Sequence, residues 1–156
     1  LMLTEELLPE IRKRSGDNFA ANQTILTGSS YGGLASVQLA WRHPAVFGKV
    51  IALSPSLWWD GGTTDPAYYL LTERFLQSPR LPLDIFISAG IFEAAHSGQG
   101  DKGILDGSRN LRDLLRAKGY PVVYREYAAG HDYLAWRGAL ADGLLALFAK
   151  PEVAIK

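Results

Sequence analysis

The pentapeptide Gly28-Ser29-Ser30-Tyr31-Gly32 matches the pattern G-x-S-x-G, in which the central serine can be a nucleophile. It lies between a short β-branched run and a predicted helix, which is the setting that the pattern requires. Glycines two residues to either side of Ser30 would remove Cβ atoms that collide in so tight a turn. We predict that Ser30 is the nucleophile and that the backbone N–H of Tyr31 donates to an oxyanion. The alternative is a glycine-rich strand-to-helix turn without chemistry.

A matching base follows the last predicted strand, in Gly130-His131-Asp132. In triads built on this turn, the chain order is serine, acid, histidine. A histidine at this strand end can take the serine proton and later return it to the leaving group. We predict that His131 is the general base and that Asp132 caps the helix that follows. We assign structural or solvent-exposed roles to His43 and His96.

The acid of the triad should follow the third predicted strand, and three carboxylates do so. Glu93 comes soonest, in Ser88-Ala89-Gly90-Ile91-Phe92-Glu93, and is the predicted acid. Asp106 has an alternative role as a helix N-cap. Asp101 lies beside Lys102 and could form a solvated ion pair. A Ser-His dyad with a water or a carbonyl behind the histidine is the remaining alternative.

Composition narrows the range of partners. The 156 residues fit a single domain, and 47% hydrophobic content suffices for a packed core. The 16 basic and 16 acidic residues balance without long runs of one sign, so we expect neither nucleic acid nor a membrane surface as a partner. The chain has no cysteine and only three scattered histidines, so we expect no metal and no cofactor. Without cysteines the redox compartment stays undetermined.

The elements that must position these side chains alternate along the sequence. Because strands separated by helices need crossovers, the pattern predicts an α/β fold with a mostly parallel sheet of about four strands and helices on both faces. Ligands then bind at the carboxyl ends of the strands. The predicted strands span 24–27, 50–53, 83–88 and 121–127, and the predicted helices span 4–14, 34–42, 66–77, 108–118 and 133–149, with a loop over 90–107.

With these residues assembled, the chain resembles an esterase family that includes the enterochelin (siderophore trilactone) esterases, esterase D and the mycolyltransferases. The likeness is greatest to the enterochelin esterase branch. It rests on four stretches that span most of the chain, of which the last is the most specific: 27–36, 47–59, 89–93 and Gly130-His131-Asp132-Tyr133-Leu134-Ala135-Trp136-Arg137-Gly138-Ala139-Leu140.

The resemblance implies a three-layer α/β-hydrolase fold, with residues 1–156 forming a single esterase domain that corresponds to the C-terminal part. It implies Ser30 as nucleophile, His131 as base and an acid at the position of Glu93. It also implies hydrolysis of carboxylic esters through an acyl-enzyme, without a cofactor. Cyclic catecholate siderophore lactones, as free or ferric complexes, are the leading substrates.

Two departures from the family pattern stand out. Ser54-Pro55-Ser56 replaces the usual Ser-Gly-Ser, and we assign this change to the pocket wall rather than to the chemistry. Family members also carry an N-terminal half with further strands and a second oxyanion amide. We therefore expect a fragment with one oxyanion donor fewer, a loss that typically lowers the rate about a hundredfold or more. We also expect an exposed edge at Thr24–Thr27 through which the chain dimerises or aggregates.

Large side chains near the predicted site are candidate substrate contacts. Trp58 and Trp59 follow a strand end, and alternation predicts that one packs in the core while the other faces the cleft and stacks on catecholate rings. Tyr31 lines the site because it follows the nucleophile. Arg137 either binds an anionic substrate or pairs with a surface carboxylate.

Other functions use the same residues. An acyltransferase or a carbohydrate-ester hydrolase would have the same triad, because the choice of acceptor lies in loops. A fragment without activity could act as a binding or structural module. A serine peptidase of this fold fits the flanking stretches less well.

Overall fold

The computed structural model describes residues 2–59, 70–94 and 103–148. A π-helical turn, Met2–Leu7, continues into α1, Leu8–Ser15, and a short 3₁₀ turn follows at Ala21–Gln23. The remaining elements alternate along the chain: β1 Ile25–Ser29, α2 Tyr31–Arg42, β2 Lys49–Leu53, α3 Leu70–Gln77, β3 Asp84–Gly90, α4 Ile104–Ala117, β4 Val122–Tyr127 and α5 Tyr133–Phe148.

The four strands form one parallel sheet in the order β1-β2-β3-β4. Ile25 pairs with Lys49, Lys49 pairs with Asp84, and Ile85 pairs with Val122. Each strand therefore lies beside its neighbour in sequence, and the helices between them provide the crossovers that parallel pairing needs. The predicted α/β fold with four parallel strands is confirmed.

Alternate residues of the central strands pack on opposite faces of the sheet, as a period of two requires. Val50 and Ala52 of β2 and Ile85 of β3 point to a core that α2, α3 and α4 cover. Ile51 of β2 and Phe86 of β3 point to the second core, under α5. Helices thus cover both faces, and the carboxyl ends of all four strands meet at one edge.

Helix α5 lies close to the sheet because it presents small residues there. Ala139 and Gly143 are its two buried positions, and a Cβ on Gly143 would come within 3.0 Å of the Ile51 side chain. The close approach holds α5 against the sheet. The first residue of α5, Tyr133, follows directly on the loop that contains His131.

Several element boundaries differ from those predicted. Helix α2 begins at Tyr31 rather than at Leu34, since the Leu34 N–H already bonds to the Ser30 carbonyl at 3.1 Å. Helix α4 begins at Ile104, inside the predicted loop, so Asp106 lies in its first turn and is not its N-cap. Gly119, which follows the C-cap Lys118 of α4, is left-handed with φ of 74°. Residues 66–69 of the third predicted helix lie outside the described residues.

Candidate active site

The turn that carries Ser30 is as tight as a turn between a strand and a helix can be. Strand β1 ends at Ser29 and α2 begins at Tyr31, so Ser30 alone connects them, with φ of 56° and ψ of −122°. A non-glycine residue with positive φ is uncommon and strained. A Cβ on Gly28 would come within 2.4 Å of the Gly32 carbonyl carbon, which explains the first glycine of the motif. The steric role predicted for Gly32 is wrong, because its own Cβ would meet nothing within 4 Å.

His131 lies within hydrogen-bonding distance of Ser30. Its Nε2 is 2.9 Å from Ser30 Oγ, across 101 residues of sequence. The ring sits between β4 and α5, and Asp132 begins the helix by accepting the Ala135 N–H at 2.9 Å. The predicted capping role of Asp132 is therefore confirmed.

Glu93 is the carboxylate that the structure places behind His131. Its Oε1 is 2.5 Å from His131 Nδ1, and its side chain is 2% exposed. Since a carboxylate accepts hydrogen bonds, this contact leaves the proton on Nδ1 and a free lone pair on Nε2. Asp106 lies in the first turn of α4 and has no hydrogen bond to His131, and Asp101 is outside the described residues.

Two further donors hold the second oxygen of Glu93. The Gly90 N–H donates to Oε2 at 2.5 Å and the Ser54 hydroxyl at 2.8 Å. Gly90 must be glycine here, because a Cβ would come within 2.2 Å of the Ala129 carbonyl oxygen. The acid is thus oriented by the ends of β2 and β3 together.

A backbone donor for an oxyanion is available beside Ser30. Tyr31 is the first residue of α2, so its N–H has no acceptor within the helix. The N-terminal end of a helix also favours negative charge. An oxyanion that forms next to Ser30 Oγ can accept this N–H.

The Ser54-Pro55-Ser56 segment contacts two members of the candidate triad. Ser54 Oγ bonds to Glu93, and Ser56 Oγ is 3.2 Å from Ser30 Oγ. Both serines are shared with the family pattern, so the departure itself is Pro55, and its assignment to the pocket wall stays a prediction. The sequence places both serines directly after a strand, at the edge of the sheet where ligands bind, but it does not indicate which side chains they contact.

The paired tryptophans are arranged differently from the alternation predicted. Neither is buried in the core, where Leu57 takes the fully buried position instead. Trp58 is half-buried and meets the ring of Tyr31 edge-on, with centroids 5.7 Å apart. Trp59 is 39% exposed and lines a recess with residues of α2 and α3, including Leu34.

Aromatic rings also pack against the candidate base. The Trp136 ring lies edge-on to His131, with centroids 4.8 Å apart, and edge-on to Tyr133 at 5.1 Å. Trp136 was not among the predicted site residues. Arg137, the next residue, is exposed and forms no ion pair within the described residues, so the carboxylate partner weighed for it is not found there.

Strand β4 is anchored on both sides by charged groups. Glu126 accepts two hydrogen bonds from Arg109 of α4, both at 2.8 Å, and this lowers the pKa of Glu126 to about 2. Burial, then a 2.6 Å hydrogen bond to Asp142 of α5, raises the pKa of Tyr127 to about 12. These contacts fix the strand whose end leads into His131.

The described residues contain no cluster of three or more acidic or histidine side chains that could hold a metal ion. Within the same residues, no helix is both long enough and apolar enough to cross a membrane.

Comparison with known families agrees with this geometry. Residues 1–147 match the model of a family described as Putative esterase. An iron(III) enterobactin esterase of Dickeya dadantii is 33% identical over 153 residues, covering 92% of this chain and 33% of that protein. An iron(III) salmochelin esterase of Escherichia coli is 31% identical over 147 residues, covering 88% of this chain and 34% of that protein. The chain therefore spans about a third of the length of the curated relatives that it matches.

Solved structures show the same relationship. The enterobactin esterase of Shigella flexneri, crystallised in the presence of enterobactin, is similar with a TM-score of 0.78 and 28% identity, covering 93% of this chain and 35% of that one. A siderophore hydrolase from Aspergillus nidulans, at 20% identity, has a TM-score of 0.73 and shares the fold.

Proposed function

Because the chain belongs to this esterase family, we propose that it carries the nucleophile, base and acid of a serine hydrolase that cleaves carboxylic esters. The observation that carries the proposal is the hydrogen-bonded series from Ser30 Oγ through His131 to Glu93, with contacts of 2.9 and 2.5 Å. Three residue types in this order are what acyl transfer by a serine needs. They come from three separate strand ends, which makes chance assembly a poor explanation.

The first half of the reaction forms an acyl-enzyme. Ser30 Oγ attacks the ester carbonyl carbon while His131 Nε2 takes the hydroxyl proton. The carbonyl oxygen becomes an oxyanion and accepts the Tyr31 N–H. Glu93 keeps the ring in the required tautomer and stabilises its charged form. When the tetrahedral intermediate collapses, the bond to the ester oxygen breaks and the alcohol leaves with the proton from His131.

The second half returns the enzyme to its starting state. His131 takes a proton from a water molecule, and the resulting hydroxide attacks the acyl carbon. Collapse of the second intermediate breaks the bond to Ser30 Oγ, which recovers its proton from His131. The products are the free acid and free Ser30. No step requires a metal ion or an organic cofactor.

The substrate that we propose is an ester of a catecholate siderophore, because two relatives at about 30% identity are named iron(III) enterobactin esterase and iron(III) salmochelin esterase. Aromatic rings pack beside two residues of the site, since Trp58 contacts Tyr31, and Trp136 contacts His131 and Tyr133. Flat catechol rings pack well against such edges and faces. Arg137 adds an exposed cation that an anionic ferric complex can approach.

A fluorophosphonate probe, which phosphonylates activated serines, tests the mechanism directly. We expect one label per chain, located by peptide mass mapping on Ser30. Ser30→Ala should abolish labelling, whereas Ser29→Ala, which removes the adjacent hydroxyl, should retain it. A folded chain, confirmed by circular dichroism, that takes no label would refute the proposal.

The class of substrate is tested by comparing hydrolysis of several different esters. A catecholate trilactone, p-nitrophenyl acetate and an acetylated sugar are compared by the rate of product release. We expect hydrolysis of the trilactone with the highest kcat/KM. A preference for the sugar ester, or transfer of the acyl group to an added alcohol, would instead favour one of the alternatives that use the same triad.

We also propose that the chain self-associates through β1. Among the described residues, β1 pairs only with β2, and β4 is the opposite edge. Strand β4 carries the charged Arg125 and Glu126, which discourage edge-to-edge pairing, whereas β1 consists of uncharged residues.

A further inference from the structure

We propose that Ser54 and Trp136 are positioning residues that hold the acid, Glu93, and the base, His131, of the proposed triad in the correct relative position. This inference rests on the proposed function. The Trp136 Nε1–H donates to Ser54 Oγ at 3.0 Å, and the Ser54 hydroxyl donates to Glu93 Oε2 at 2.8 Å. The Trp136 ring also packs edge-on against His131. Four side chains thus form a closed loop: His131, Glu93, Ser54 and Trp136.

The direction of each hydrogen bond in this loop follows from the chemistry of the donors. An indole N–H can only donate, so Ser54 Oγ must accept from Trp136. The single proton of the Ser54 hydroxyl is then directed to Glu93. With the Gly90 N–H on the same oxygen, Oε2 is held by two donors, and Oε1 faces His131. Trp136 therefore influences the acid through Ser54, without touching it.

The backbone of Ser54 indicates that this arrangement is imposed by its surroundings. Its φ is 43°, and within the described residues only Ser30 shares a positive φ among non-glycine residues. Such strain persists where the surrounding structure fixes the conformation. Ser54 is 3% exposed, and its N–H bonds to the Ser88 carbonyl at 2.8 Å. The strain directs the hydroxyl towards Glu93.

Trp136 performs a second part of the same task. The His131 side chain is 38% exposed, so its own burial does not prevent it from rotating away from Ser30. The indole and imidazole rings are nearly perpendicular, with centroids 4.8 Å apart, so the Trp136 ring packs directly against His131 and restricts its rotation. One side chain thereby restrains the base by packing and the acid by hydrogen bonding.

Two substitutions separate these contributions from general stability. Ser54→Ala removes only the hydroxyl, and Trp136→Phe removes the indole N–H but keeps an aromatic ring beside His131. A matched control exists in the chain, because Trp41 Nε1 donates to Ser78 Oγ at 3.2 Å far from the site. Trp41→Phe and Ser78→Ala therefore remove the same kind of bond elsewhere.

We expect Ser54→Ala and Trp136→Phe to lower kcat on p-nitrophenyl acetate by roughly 10- to 100-fold with KM changed less than about twofold, as for small displacements of reacting groups. The control variants should match the wild type. Since both residues act through one hydrogen bond to Glu93, the double variant should lose little more than Ser54→Ala alone. Effects that multiply, or an unchanged kcat, would overturn the inference.

A spectroscopic readout distinguishes failure of this inference from failure of the proposed function. The proton shared by His131 and Glu93 should give a far-downfield ¹H NMR signal in the folded chain, with or without turnover. We expect Ser54→Ala and Trp136→Phe to shift or broaden this signal, and Trp41→Phe to leave it unchanged. A signal unaffected by both site variants overturns the positioning role, whereas absence of fluorophosphonate labelling in the wild type refutes the esterase proposal instead. If Ser54→Ala does not fold, the kcat and the NMR signal of Trp136→Phe decide whether the positioning role holds.

Discussion

At the scale of single residues, the two glycines of the G-x-S-x-G motif have different environments. Gly28 faces the backbone of Gly32, with the nearest atom 2.4 Å from where its Cβ would lie. Gly32 lies in the first turn of α2 and faces open space. Because backbone atoms cannot move aside as a flexible side chain can, the turn at Ser30 depends on the first glycine and tolerates change at the second.

We predict that Gly28→Ala lowers the free energy of unfolding by roughly 1–3 kcal/mol or more, as overpacking does. Gly32→Ala should leave it unchanged or raise it by up to about 1 kcal/mol, since alanine favours a helix over glycine. Urea denaturation followed by circular dichroism measures both. Equal destabilisation by the two variants would contradict this account of the motif.

The sequence predicts some contacts of the site and not others, for a physical reason. Ser30, His131 and Glu93 could be selected because each follows a recognisable strand in the order that such triads use. Ser54 and Trp136 lie 82 residues apart, and Ser54 and Glu93 lie 39 apart. Contacts between residues so far apart in sequence can be predicted only when the strand order of the sheet and the placement of α5 are known. A serine and a tryptophan carry no local signal of these bonds.

At the scale of elements, β4 is held between two helices by polar contacts at its exposed end. Arg109 of α4 donates a hydrogen bond to Glu126. On the other side, Asp142 of α5 accepts a hydrogen bond from Tyr127 and forms an ion pair with Arg125 at 2.8 Å. These contacts restrain the loop that presents His131. Strand β4 is therefore the edge of the sheet and also positions the loop that contains the proposed base, His131.

The Glu126 contact gives a pH-dependent contribution to stability. Its pKa falls from an ordinary 4.5 to about 2 in the folded chain, chiefly through the Arg109 hydrogen bonds. A depressed pKa means that the stabilisation is fully present above pH 4.5 and is lost as the pH falls towards 2. Because the pair is partly exposed, solvent limits its contribution.

We predict that Glu126→Gln lowers the free energy of unfolding by roughly 0.5–1 kcal/mol at pH 7. The difference from the wild type should shrink between pH 4.5 and pH 2, and chemical denaturation across this range measures it. Glu10→Gln, which removes the exposed partner of Arg14 on α1, is the control for loss of a surface charge. A difference that stays constant with pH would argue against the Arg109 contact.

Element types followed from the sequence more readily than their ends. All four strands overlap the predicted ones, and the apolar runs of β2 and β3 reflect burial on both faces. The starts of α2 and α4 were missed because Gly32 and Gly33 lie in the first turn of one and Gly103 caps the other. Glycine lowers intrinsic helix propensity, so packing against the sheet decides those boundaries.

At the scale of the whole molecule, the chain spans about a third of its curated relatives and presents two kinds of apolar surface. One is the uncharged edge of β1. The other is on α5, where Leu134, Leu145 and Phe148 are exposed at 77%, 67% and 46%. Exposed apolar surface of this kind favours association.

We predict that the purified chain shows a mass above its 17.1 kDa in light scattering, rising with concentration. Thr27→Lys places a charge on the exposed face of β1 and should shift the population towards the monomer. Asn18→Lys, in an exposed segment before β1, adds the same charge and should not. A monomer at every concentration would contradict pairing through β1.

The positive φ angles at Ser30 and Ser54 have a consequence for engineering. Each conformation is destabilising by about 1–3 kcal/mol for a residue with a Cβ, and glycine would relieve it. At Ser54 the two buried hydrogen bonds of the hydroxyl offset this gain, whereas at Ser30 selection for heat resistance alone would favour glycine and remove the nucleophile. Thermostability and catalysis therefore oppose each other at Ser30, so a screen for robust variants needs an activity assay from its first round.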